Sequence, residues 1–344
     1  MKIVVRGANW IGDAVMSVPA MREMRRLFPD AFIALHSRSW AKDIFADSAL
    51  FDEMIDIGQA GHKISSPLRQ AGELKKRGFD LSVLFTNSFS TAFVSRIAGV
   101  KRRFGYATDG RSFLLSDAVA VPDWKDQRHE VFYYLNLVNQ MGSAILGVGH
   151  RPAGDPQLEI PVSSGRRAAA RERIDALGHA TGPTIAMAAG SANSRAKRWL
   201  AENFASLNDR LQGDLGAKVL LLGAPDEVEI ADRVSTLSRH KPFDLTGQTS
   251  LSEAAAILSE VDLAVSNDMG LAHLAPAVGT DTIVIFGPTD HVTTRPFSPR
   301  AEVVRAGVEC SPCMLRDCPI DHRCMTLVSV ESVLGRIIDR LERN

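Results

Sequence analysis

The sequence predicts an α/β protein made of two similar halves, each with a largely parallel sheet. Three observations lead there. Strand-like and helix-like segments alternate along the whole chain, as in a parallel sheet with crossover helices. Each half opens with an apolar strand, at 2–6 and at 184–188, that runs into a glycine-containing turn. At 344 residues the chain also exceeds one ordinary core, so two domains are expected.

In the first half, strands are expected at 2–6, 31–36, 53–57, 80–85 and 103–106. Helical patterns fall at 13–28, 39–47, 67–77, 90–98 and 129–141. Pro19 should kink or shorten the first of these, because its ring clashes with the preceding turn. From 142 to 161 the chain is rich in Gly and Pro, and a linker region is expected at about 150–182, with a helix at 164–177. The second half repeats the alternation, with strands at 184–188, 218–222, 263–266 and 282–286. Its helices fall at 201–211, 226–238, 251–259 and 271–278. The last helix, at 330–343, gathers Val330, Val333, Leu334, Ile337, Ile338 and Leu341 on one face. No short-period repeat is present.

Composition narrows the function classes. Hydrophobic content of 45% and charged content of 23% are ordinary for a globular protein. Lys+Arg and Asp+Glu balance at 40 each, so the overall charge gives no argument for a nucleic-acid partner. The N-terminus lacks the apolar core of a signal peptide, and no apolar run approaches the 18 residues of a membrane span. A cytosolic protein is expected, touching a membrane surface at most. All four cysteines, Cys310, Cys313, Cys318 and Cys324, fall in one stretch that also holds His322. Three readings stay open for it: a metal site, redox-labile thiols, or a structural loop of reduced cysteines.

The most informative run is Asn267-Asp268-Met269-Gly270-Leu271-Ala272-His273. A strand feeds an Asp, a Gly-containing turn and a helix. That places a carboxylate and free backbone N–H groups at the C-terminal edge of a parallel sheet, where open α/β sheets bind ligands. The helix start suits a phosphate or diphosphate, and the Asp can accept hydrogen bonds from sugar hydroxyls. Together these are the needs of a nucleotide-sugar enzyme. His273 follows on the helix, and a lone His there has a structural explanation.

The first turn reads Arg6-Gly7-Ala8-Asn9-Trp10-Ile11-Gly12-Asp13. It has the glycine spacing of a P-loop, but Asp13 stands where the phosphate-binding Lys would be, which argues against a triphosphate. Asp13 is a candidate general base; alternatively it only complements the positive end of its helix. The second half's first turn carries Ser191, Lys197 and two arginines. A diphosphate leaving group gains negative charge as its bond breaks, and Lys197 can supply the compensating charge. A solvated basic loop is the other reading. After the next strand, an acid in Asp226-Glu227 can accept from a ribose hydroxyl or cap a helix. No nicotinamide fingerprint, no hydrolase nucleophile elbow and no Asp-x-Asp metal clamp is present.

These motifs resemble the ADP-heptose:lipopolysaccharide heptosyltransferases of glycosyltransferase family 9, and most closely their heptosyltransferase II branch. The resemblance rests on the 7–20 opening, on Arg103-Phe104-Gly105-Tyr106 with Asp109-Gly110-Arg111-Ser112-Phe113-Leu114-Leu115, and on Arg128-His129-Glu130. In the second half it rests on Ala196-Lys197-Arg198-Trp199, Leu245-Thr246-Gly247 with Thr249, the 268–273 run and the cysteine segment. It spans the chain end to end.

The resemblance implies a GT-B fold: two Rossmann-like domains facing a central cleft. The acceptor-binding domain would occupy 1–160 and the nucleotide-sugar domain 161–327, with the 328–344 helix returning to the first domain. It implies inverting transfer of heptose from ADP-heptose, as co-substrate, to the lipopolysaccharide inner core. The acceptor would be Kdo-lipid A bearing a first heptose. No metal or other cofactor is expected, nor a nucleic-acid partner, and the protein would act in the cytoplasm, peripherally on the inner membrane. Asp13 would be the base and Lys197 the diphosphate ligand. Donor contacts would come from Ser191, Glu227, Gly247, Thr249, Asp268, Met269, Gly270, Leu271 and His273, and acceptor contacts from Asn9, Trp10, Arg103 and Arg111. Met269 departs from the family's usual Ser or Thr. Two other functions remain open: a related transferase using another nucleotide sugar, and a catalytically silent metal- or thiol-regulated binding protein.

Overall fold

The computed structural model describes residues 1–58, 65–147, 154–191 and 194–343. The chain divides into two compact units, Met1–Leu158 and Glu159–Asn344. Part of the expected linker around 150 lies outside the described residues, as do Ala192 and Asn193 of the second half's first turn.

The first unit holds β1 (Lys2–Arg6), β2 (Phe32–Ser37), β3 (Glu53–Asp56), β4 (Leu81–Leu84), β5 (Arg102–Tyr106) and β6 (Asp117–Val119). The second holds β7 (Thr184–Ala188), β8 (Lys218–Leu221), β9 (Phe243–Asp244), β10 (Leu263–Asn267), β11 (Asp281–Phe286) and β12 (Ala301–Arg305). The sheet orders are β3-β2-β1-β4-β5-β6 and β12-β11-β10-β7-β8-β9, with parallel pairing. Each is a doubly wound sheet whose strand order reverses beside its own first strand.

Among the strands that were legible in the sequence are those covered on both faces. β10 and β11 are buried at every residue, and such strands read as continuous apolar runs. β6, β9 and β12 were not expected. All three are edge strands, and β12 is only half-buried along most of its length. The first expected helix is two, Ile11–Met16 and Val18–Leu27, with Pro19 in the first turn of the second. There its missing N–H costs nothing.

The second unit's core packs Ile185, Met187, Val265, Ile283 and Ile285 of the sheet against Trp199 and Phe204. The final helix, Val330–Leu341, is assigned to this unit. Its Val333, Leu334 and Ile337 are buried in the same core, against helix Ala201–Leu215 and β11. No helix among the described residues is long and apolar enough to cross a membrane.

Candidate functional site

In the second unit the switch point lies between β7 and β10, and the predicted donor residues meet at the C-terminal ends of these strands. The Asn267 side chain, wholly buried, joins the two. Its amide donates to the carbonyls of Ala189 (2.8 Å) and Gly190 (3.1 Å), and its oxygen accepts from the Trp199 N–H (3.0 Å). The turn after β7 is thereby tied to β10. Nothing in the sequence pattern flagged Asn267 for this role except its place at a strand end.

Asp268 follows, 5% exposed. Its Oδ2 pairs with Lys197 Nζ at 2.8 Å and accepts from Thr289 Oγ1 at 2.6 Å. Thr289, in the turn after β11, is a residue that sequence reading missed. His273 is buried with Nε2 3.9 Å from Asp268 Oδ1, beyond hydrogen-bond range. Met269 is the extended N-cap of helix Gly270–Ala277 and supplies no side-chain cap. The opening amides of that helix, at Gly270 and Leu271, belong to the first-turn N–H groups that an α-helix leaves without intrahelical partners.

Of the three basic residues in the β7 turn, only Lys197 is directed at this cluster. Arg198 donates twice to the Ser191 carbonyl, and Arg195 pairs with Asp317 at the surface. Lys197 has three N–H donors and keeps capacity for an anion beside Asp268.

On the other side of β7 lies Glu227, 2% exposed. Its Oε2 accepts from the Ala224 N–H at 2.9 Å, while Oε1 is buried and has no partner among the described residues. Burial pushes this carboxyl up from its ordinary value, against the opposing pull of the Ala224 N–H. A Cβ on Gly190 would sit 2.1 Å from Glu227 Oε1, so only glycine lets the turn approach the acid this closely. Glu227, not the exposed Asp226, is the acid that faces the turn. Thr246 and Gly247 border it: the Gly247 N–H donates to the Gly223 carbonyl at 2.9 Å, and half-buried Thr249 follows. An orphaned, buried carboxylate oxygen suits a ligand hydroxyl that donates to it.

This arrangement has a match among known proteins. Residues 68–323 fit the model of glycosyltransferase family 9 (heptosyltransferase). The chain belongs to that family. This glycosyltransferase is 28% identical over 314 residues to lipopolysaccharide heptosyltransferase 2 of Escherichia coli K12, covering 89% of this chain and 88% of that protein. It is 27% identical over 311 residues to lipooligosaccharide heptosyltransferase 2 of Haemophilus influenzae, with the same coverages. In fold it matches the structure of E. coli ADP-heptose LPS heptosyltransferase II (TM-score 0.83, 24% identity, 100% of this chain and 99% of that one). It likewise matches a family 9 glycosyltransferase of Veillonella parvula (TM-score 0.84, 22% identity, 100% and 97%). The two doubly wound sheets are thus those of a GT-B heptosyltransferase.

In the first unit, the turn after β1 is shaped by a residue that sequence reading passed over. Arg6 is 6% exposed, and its guanidinium donates to the Gly7 carbonyl and to Asn9 Oδ1 (2.8 Å). Burial, with Arg38 nearby, brings its pKa down to about 10. The only signal was a cation ending an apolar strand. A Cβ on Gly7 would lie 2.9 Å from Leu35 Cδ1 and 3.1 Å from Ser37 Cβ, so a side chain there would crowd this turn. Asp13, half-buried, is the third residue of helix Ile11–Met16, and Trp10 before it is half exposed.

Two of the residues expected at the acceptor, Arg111 and Arg103, are surrounded by main-chain carbonyls. Arg111 is wholly buried and donates to the carbonyls of Tyr106 (3.0 Å), Thr86 (2.5 Å) and Ser88 (3.2 Å). Arg103, 7% exposed, donates to those of Leu114 (2.7 Å) and Val100 (2.5 Å). Both guanidiniums brace loops, since a buried cation must satisfy its N–H groups and these carbonyls are the acceptors at hand.

The cysteines are free thiols. Cys310 and Cys313 are exposed, Cys318 is half-buried, and Cys324 is buried with its thiol pushed up to about 11 by burial. Among the described residues no group of three or more His, Cys, Asp or Glu is arranged to hold a metal ion.

Proposed function

We propose that this glycosyltransferase transfers heptose from ADP-heptose to the inner core of lipopolysaccharide, onto Kdo-lipid A that already bears a first heptose. The observation that carries this reading is the convergence of Lys197 and Thr289 on Asp268 beside the start of helix Gly270–Ala277. It combines a diphosphate ligand with a sugar-hydroxyl acceptor, in a chain whose relatives are named heptosyltransferase 2.

In this reading Glu227 takes the ribose hydroxyls through Oε1, and the 247–249 turn borders the adenine. Ser191 and the opening amides of the helix lie along the phosphates, and Met269 contributes only its backbone. Asp268 binds heptose hydroxyls. Asp13 takes the proton from the acceptor hydroxyl as its oxygen attacks the anomeric carbon. The bond to the diphosphate breaks as that bond forms, and Lys197 stabilises the departing charge. Configuration inverts, and neither a metal nor another cofactor is required. Asn9 and Trp10 remain the acceptor-side contacts. The protein meets its acceptor peripherally, at the cytoplasmic face of the inner membrane.

The test is incubation with ADP-heptose and a lipopolysaccharide acceptor truncated after the first heptose, read by mass spectrometry. A single added heptose is expected. Faster transfer from a different nucleotide sugar in direct competition would replace the heptose assignment.

A further inference from the structure

We propose that residues 311–322, within the cysteine segment, are a positioning clamp for the diphosphate site, with His322 as the residue that places Lys197. The proposal rests on the reading of Lys197 as the diphosphate ligand.

The segment grips the two turns that converge on Asp268, each at the residue before the functional one. Ala196 precedes Lys197. Its N–H donates to the Arg316 carbonyl at 2.9 Å, and its carbonyl lies 2.6 Å from His322 Nε2. Both main-chain groups of Ala196 are therefore held by the segment. Ser194 Oγ adds a third bond, to the same Arg316 carbonyl at 3.1 Å. Pro288 precedes Thr289. Its carbonyl accepts from the N–H groups of Cys313 (3.0 Å) and Met314 (2.8 Å), and Ser311 Oγ donates to the Gly287 carbonyl at 2.6 Å. Lys197 and Thr289 then meet on a single atom, Asp268 Oδ2. One stretch of chain thus fixes both groups that hold this carboxylate.

The contact also fixes the state of the imidazole. A carbonyl oxygen only accepts, so Nε2 of His322 carries a proton and donates. His322 itself lies in the left-handed region (φ 57°), as does Met314 (φ 58°). A side-chain-bearing residue rarely adopts such a backbone, and it persists where the surroundings over-determine it. At His322 the surroundings are the Ala196 carbonyl and the helix Arg323–Thr326 that it caps. Just past His322 the chain is anchored by Cys324 and Met325, which are buried over Gly287. The clamp works through main chain, the Ser311 and Ser194 hydroxyls and the imidazole, and uses no thiol chemistry.

The experiment measures ADP affinity by calorimetry, and donor and acceptor KM separately, on the full chain. His322→Ala removes one partly buried hydrogen bond. It should weaken ADP and raise donor KM about three- to tenfold, with acceptor KM unchanged. His322→Gln, whose amide N–H can reach the same carbonyl, should recover most of the loss. A purely structural role would lower the melting temperature without this split. Lys197→Ala is run in parallel. If it weakens ADP while His322→Ala changes neither ADP affinity nor donor KM, the clamp is overturned and the site reading stands. If Lys197→Ala leaves ADP affinity intact, the site reading fails, and the clamp with it. Should His322→Ala not fold, Ser194→Ala carries the same expectation at about two- to threefold, and no effect there overturns the clamp.

Discussion

The turn after β1 and the turn after β7 occupy the same place in two sheets of the same strand order, yet they carry different groups. The β1 turn runs into a helix of six residues with a carboxylate in it, and its shape is set by the buried Arg6 beneath. The β7 turn presents a lysine; Arg198 ties it from within, and Asn267 and the cysteine segment hold it from outside. Topology creates the place for a ligand; the residues set there decide which ligand and which step.

The largest effect that would break this contrast is at Asp13. A general base at this position would contribute roughly 10²–10⁴-fold to rate. Asp13→Asn should cut kcat by that order while ADP affinity, measured by calorimetry, stays near that of the parent. Near-normal turnover would reduce the first turn to a structural feature. Next in size are Lys197→Ala and Asp268→Ala. Hydrogen bonds to charged groups are worth about 1.5–3 kcal/mol, so Lys197→Ala should weaken ADP by about ten- to a hundredfold. Asp268→Ala should impair use of the sugar donor more than it impairs ADP binding. Equal effects on both ligands would move Asp268 away from the sugar.

Glu227 sharpens the comparison more gently, through pH. Its folded pKa is raised by burial, so the native state holds this proton more tightly than the unfolded chain does. Stability therefore falls as pH rises from about 4.5 through the folded value. Glu227→Gln should remove that loss. A Tm above that of the parent at pH 7 is expected. The gain should disappear below pH 4.5, and nucleotide affinity should drop. A lower Tm at pH 7 would show that the carboxylate is satisfied within the fold. The smallest effect on turnover is expected at the cysteines. Replacing all four by Ser should lower stability more than kcat, and activity should survive EDTA. Loss of activity without unfolding, restored by one particular metal, would make the cluster catalytic machinery.

Much of the site was legible because its signals are local. A strand ending in Asn-Asp before a Gly-led helix, and a Lys in a turn of small residues, can be read from a dozen neighbouring positions. Of the four edge strands only β3 was legible; β6, β9 and β12 lack a long apolar run to mark them.

By itself, then, the sequence determined the alternation that builds two parallel sheets, the turns at their switch points, and the carboxylate and lysine set there. Each follows from periodicity and turn chemistry within one segment. Only the tertiary structure decided how the side chains are used. Arg103 and Arg111 were expected at the acceptor, and the fold surrounds both with main-chain carbonyls that their guanidiniums bridge. Thr289 and His322 look ordinary, but chain segments distant in sequence bring them onto Asp268 and Ala196. The physical reason is that a polar side chain acts on the partner that burial leaves it, and that partner is fixed by packing across the chain rather than by its neighbours in sequence.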